Sequence, residues 1–102
     1  MAKSIMQTDK SHCYICKRNG GYWGLDEHHV FEGHANKKLS EKYGLKVYLC
    51  HHDCHIFGEN AVHNNTEINR KLKAKAQKIA MKHYGWSVED FIKEFYKNYL
   101  EE

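Results

Sequence analysis

From Thr66 onward the apolar positions recur at helical spacing. Ile68, Leu72, Ala76, Ile79 and His83 fall three or four residues apart, and Gly85 stops the run. This predicts a long amphipathic helix, with Asn64 or Asn65 placed to cap its start. A second helix is predicted from Ser87, whose side chain can cap it while Asp90 sits in the first turn. Its apolar face runs through Val88, Phe91, Ile92, Phe95, Tyr99 and Leu100. Joined by a turn, the two helices are expected to pack together. The pattern upstream is different. "LDEHHVF" (residues 25–31) and "LKVYL" (45–49) are short stretches rich in residues that suit a pleated backbone, and they predict two strands. Lys37 to Tyr43 reads as one or two helical turns closed by Gly44. The first ten residues are polar and aperiodic, which predicts a loose arm, and the glycine-rich "NGGYWG" predicts a tight turn. No repeat or linker divides the chain, so residues 1–102 read as one small α+β domain.

A chain of 102 residues buries only part of its surface, and domains of this size often rely on a metal, disulfides or a partner. Its four cysteines offer such a staple. "MAKSIMQTDK" has no apolar core of signal-peptide length, which predicts a cytoplasmic, reducing setting and favours a metal over disulfides. No stretch is long and apolar enough to predict a membrane span. The net charge of +3 permits a nucleic-acid partner without requiring one. "CYIC" and "CHHDC" set Cys13, Cys16, Cys50 and Cys54 as two close pairs, the arrangement by which two short loops clamp one tetrahedral Zn²⁺. The second spacing is one residue longer than usual, which leaves His51 or His52 as possible replacements for a cysteine. No βαβ pattern surrounds Cys13 and Cys16 to support a redox pair.

Nine histidines are many for this length, and they cluster. If the strands pair, His28, His29, His55 and His63 can converge. Some imidazoles can then hold an ion while another takes a proton from water. Neighbouring strand residues face opposite ways, so His28 and His29 are expected to do different work. His83, on the apolar face of its helix, reads as a packed residue. On the long helix Lys71, Lys75, Lys78 and Lys82 form a stripe that can follow a phosphate backbone or simply be a solvated face. Tyr22, Trp23 and Tyr48 can stack on bases, though core packing is the expected use of aromatics in so small a protein.

The CxxC knuckle, the acidic-His-His-aliphatic strand, the second strand ending in Leu-Cys and the Cys-His pair followed by a later histidine together resemble the HNH, or ββα-metal, nucleases. The likeness spans about residues 11–64, with 65–102 as a helical extension, and is nearest to compact HNH-like endonucleases of phages and prophages. It implies a zinc-clamped ββα-metal core and cleavage of DNA, leaving 5′-phosphate and 3′-hydroxyl ends. His29 would be the general base. His28, His55 and His63 would hold a catalytic ion, whether Mg²⁺, Mn²⁺, Ni²⁺ or Zn²⁺. The family's last histidine usually lies one helical turn after the knuckle histidine, where this chain has Glu59, a rival ligand. Leu45 stands about where the family's asparagine lies, with Asn36, Asn60 and Asn64 as replacements. A phage-encoded or bacterial setting follows from the same likeness, and double-strand cleavage would call for a homodimer or two events. The competing expectation is a non-catalytic zinc module of the same fold that binds DNA or a protein.

Overall fold

The computed structural model describes residues 3–56, 58–59 and 61–100. Strand β1 (Leu25–His29) pairs antiparallel with β2 (Lys46–Cys50), so that Leu25 faces Cys50, Glu27 faces Tyr48 and His29 faces Lys46. Helix α1 (His34–Tyr43) connects them, starting one turn earlier than the residues 37–43 expected from the pattern, and Gly44 closes it. A π-helical turn (His51–Ile56) leaves the end of β2. Helices α2 (Thr66–Tyr84) and α3 (Val88–Phe95) follow, giving a small α+β fold.

The core lies between the hairpin and the two C-terminal helices. Val30 and Phe31, just past β1, are fully buried. Phe31 meets Phe95 at a ring-centroid distance of 4.7 Å and Phe91 at 5.6 Å. Burying each such ring stabilises the fold by roughly 1.5–3 kcal/mol. Ser40 of α1 accepts the Phe31 amide hydrogen and donates to the Phe31 carbonyl, which ties the end of β1 to the helix behind it. Asn65 caps α2 by accepting from the Glu67 and Ile68 amides, and Ser87 with Asp90 forms the expected capping box of α3.

Three sequence expectations are corrected. Helix α3 ends at Phe95 rather than continuing to Leu100, because Tyr96 turns left-handed and the chain folds back. Tyr99 still packs on Phe31, 4.9 Å away, but reaches it by this reversal. Buried Gln77 secures the reversal through the Tyr99 amide and Asn98. His83 is exposed and only edges against Tyr84, because α2 buries Leu72, Ala76, Gln77 and Ala80. The N-terminal arm is held against the hairpin. Ser4 donates to the Lys46 carbonyl, the Ile5 amide to Gly44, and the Tyr48 amide to Gln7. Among the described residues, no helix is long and apolar enough to cross a membrane.

Candidate metal centres

The first knuckle is a tight loop in which the Lys17 amide donates to the Cys13 carbonyl and the Cys16 amide lies 3.4 Å from Cys13 Sγ. Cys50 ends β2 and Cys54 sits in the π-helical turn, which brings the four sulfurs within 4.8 Å of one another. Cys16 Sγ and Cys50 Sγ are 3.7 Å apart, and all four cysteines are free thiols. Burial pushes the Cys54 and Cys50 thiols upward. Burial acts the same way on Cys16, but hydrogen bonds from Arg18 and Cys13 outweigh it and bring that thiol down to about 6. Four close sulfurs, three of them on buried cysteines, suit a soft divalent ion, and the cluster has the ligand type and closeness of a structural Zn²⁺ site. His51 and His52 replace none of these ligands. His51 Nδ1 turns to Asp26, while His52 bonds Asp53 at 2.9 Å and stacks on Trp23.

On the hairpin, strand alternation separates the adjacent histidines as their spacing requires. His28 is buried towards the π-helical turn, and His29 shares the other face with Glu27. The rings of His28, His55 and His63 gather with centroids 4.7–5.2 Å apart. His63 arrives by a route the sequence hides. The Val62 and His63 amides donate to the carbonyls of Cys54 and His55, so the chain doubles back beside the π-helical turn. Glu59 joins no ligand cluster among the described residues, and Asn60 lies outside them. Asn64 donates to the Gly58 carbonyl and Asn36 is half-buried on α1; neither belongs to the histidine cluster.

Two carboxylates orient this cluster. His55 Nδ1 is 2.8 Å from Asp26 Oδ2, and His63 Nδ1 is 3.1 Å from Glu32 Oε2. An ionised carboxylate only accepts, so a His55 proton belongs on Nδ1, which turns its Nε2 towards the other two rings, while Glu32 lies beside His63 as a charge contact. Burial works against ionising Asp26, but hydrogen bonds from His55 and His51 hold it below the usual carboxylate range. Burial likewise opposes Glu32, which Asn69 and Lys73 hold low. The two Nε2 atoms then face each other at 3.1 Å. A proton or a bound cation between them would satisfy both nitrogens. His28 Nε2 is buried with no hydrogen-bond partner among the described residues, an arrangement that costs about 1–3 kcal/mol. Burial also pushes the His28 imidazole down to about 4, leaving it neutral at ordinary pH. Three clustered imidazoles, two of them backed by carboxylates, fit a divalent ion of the later transition series.

His29 Nε2 is 2.9 Å from Glu41 Oε1. Glu41 is held low by His29 first and then by Lys46. Glu27, His29 and Glu41 lie close enough to suggest another metal site, but the Lys46 ammonium is already the cation there, 2.9 Å from Glu41 and 3.3 Å from Glu27. A cleft of about 250 Å³ joins the two faces at the end of β1. It is lined by His28, His29, His55 and His63, with Glu32 and Lys37 on its wall.

Lys71, Lys75, Lys78 and Lys82 are all exposed on α2, and the first three share one cleft with Arg70. Sequence reasoning assigned no role to Asp26, Glu32, Glu41 or Lys46. Only Asp26 carried a signal, since it stands two residues before His28 and therefore on the same strand face. No family model, curated protein or solved structure matches this chain.

Proposed function

We propose that the protein is a metal-dependent endonuclease of the HNH kind that hydrolyses DNA phosphodiester bonds. Cys13, Cys16, Cys50 and Cys54 hold a structural Zn²⁺, and His28, His55 and His63 hold a second divalent ion. The observation carrying this reading is the convergence of those three rings, with an unpartnered Nε2 on His28, in a cleft that His29 also lines. A bound ion there would offset negative charge growing on the phosphate.

The chain's own residues supply the rest. Glu41 accepts from His29 Nε2–H, which leaves Nδ1 as the basic nitrogen and restrains the ring. After His29, the Lys46 ammonium helps hold Glu41 ionised, 2.9 Å from its Oε2. His29 Nδ1 takes a proton from water as the water oxygen bonds to phosphorus in line. The bond from phosphorus to the 3′ oxygen breaks, leaving a 5′-phosphate and, after proton uptake, a 3′-hydroxyl. Lys37, the one lysine in the cleft lining, is placed to meet a non-bridging phosphate oxygen.

The test is nicking of supercoiled plasmid by zinc-loaded protein with added Mg²⁺, Mn²⁺, Ni²⁺ or further Zn²⁺. His29→Ala is expected to lower the rate by about 10²–10⁴-fold while zinc content is kept. Undiminished nicking by that variant removes the base assignment. Failure of every ion to support nicking leaves a binding module instead.

A further inference from the structure

The loop that follows the zinc knuckle presents two large aromatic rings to solvent, against the core packing expected of them. Tyr22 is 93% exposed and Trp23 58%. Gly20 makes this possible: its φ is 90°, and a Cβ there would come within 2.4 Å of the Gly24 carbonyl oxygen. The loop closes tightly at Gly20, and both rings lie on its outer side. Tyr22 meets Trp23 edge-on at 5.2 Å, and Trp23 stacks on His52 at 5.6 Å, so the rings form a fixed corner. They border a cavity of about 510 Å³ whose wall includes Lys17 and Arg18.

This corner continues into the lysine face of α2. Lys17 also lines a second cleft with Lys71 and Lys75. Its ammonium and that of Lys75 both sit over the ring of Tyr14, at 5.0 and 4.9 Å from the centroid. Lys71 and Lys75 in turn line the cleft that holds Lys78 and Arg70. Cationic side chains thus line the path from α2 to the aromatic corner, with Glu67 beside Lys71 and Asp53 beside Arg18 as acids along it. On its other side the corner leads to the histidine cleft: Trp23 is 6.5 Å from the His51 ring, His51 bonds Asp26, and Asp26 bonds His55.

We propose that Tyr22 and Trp23 stack an unpaired nucleobase of single-stranded DNA, whose phosphates run over Lys17 to Lys75 and Lys71. Exposed rings can stack on a base face, which duplex DNA keeps inside its own stack, whereas the lysines serve either form. The inference rests on the endonuclease reading in taking DNA as the polynucleotide, and it names unpaired DNA as the preferred substrate.

The test measures the affinity of zinc-loaded full-length protein, with no other divalent ion, for a fluorescent twelve-residue oligothymidine and for its duplex with oligoadenine. Tyr22→Ala and Trp23→Ala are each expected to weaken oligothymidine binding by about tenfold or more, with duplex affinity, melting temperature and zinc content unchanged. Lys17→Gln should weaken both DNAs. Unaltered oligothymidine affinity in the two aromatic variants overturns the proposal, and so does an equal loss for both DNAs. Aromatic-dependent binding, with neither the oligothymidine nor the plasmid cut under any added ion, counts against the endonuclease reading alone. Nicking together with aromatic-independent binding counts against this proposal alone.

Discussion

His28 carries two burdens at once: its ring is buried and one nitrogen has no partner among the described residues. Both are tolerable if the residue exists to hold an ion, and both have a measurable cost. Its pKa in the folded chain, about 4, lies below the ordinary 6.5, so the unfolded chain binds the extra proton between those values. Its contribution to stability is therefore full above pH 6.5 and is lost as pH falls towards 4. With only the cysteine site loaded, urea unfolding is expected to show wild type losing about 2 kcal/mol more than His28→Leu between pH 7 and pH 5. Equal losses would mean that the buried ring does not titrate as its surroundings dictate. The carboxylates behind His55 and His63 act differently. Asp26 holds the His55 ring through Nδ1 and Glu32 sets its charge beside His63, so both bear on ligation more than on stability.

The decisive element is the π-helical turn with the segment that returns beside it. It supplies Cys54 to one cluster and His55 to the other, and its carbonyls receive the amides that bring His63 in. The return depends on Gly58, whose amide donates to the His52 carbonyl and whose added Cβ would lie 1.9 Å from the Asp53 carbonyl oxygen. Gly58→Ala forces that backbone apart. It is expected to destabilise the protein by about 1–3 kcal/mol in chemical denaturation, and to weaken the second ion without displacing the first. Calorimetric titration of the zinc-loaded variant with Ni²⁺ checks the latter. Wild-type affinity there would show that His63 is not positioned by this turn.

At the scale of the molecule, the sulfur cluster joins parts that are distant in sequence: the knuckle at Cys13 and Cys16, the end of β2 and the π-helical turn. A domain of this size has little stability to spare. Structural Zn²⁺ binds with an apparent free energy of about 10–16 kcal/mol in small zinc peptides, enough to decide whether such a chain folds. Chelation of zinc, or Cys16→Ala, is therefore expected to abolish the cooperative thermal transition followed by circular dichroism. A Cys16→Ala variant that keeps the wild-type melting temperature would rule out a structural clamp. The aromatic corner follows the same knuckle, so loss of zinc should also remove its ordered stacking.

Local chemistry made much of this protein readable in one dimension. Period and capping residues determined where α2 begins and ends and where α3 begins, because those signals act within a turn or two of the chain. Ligand type and spacing marked the four cysteines, and strand alternation alone parted His28 from His29. What lay between distant segments was not readable. Tyr99 sits in helical register with Phe95 yet reaches the core by a reversed chain, and Tyr22 and Trp23 look like core residues until the closed glycine loop turns them out. Glu41 meets His29 from another element, and Glu32 meets His63 across the fold. Periodicity reports which face of an element is apolar, but it carries no record of what that face meets. Only the tertiary arrangement decides which carboxylate orients which imidazole, because that depends on contacts between segments whose relative placement no local pattern encodes.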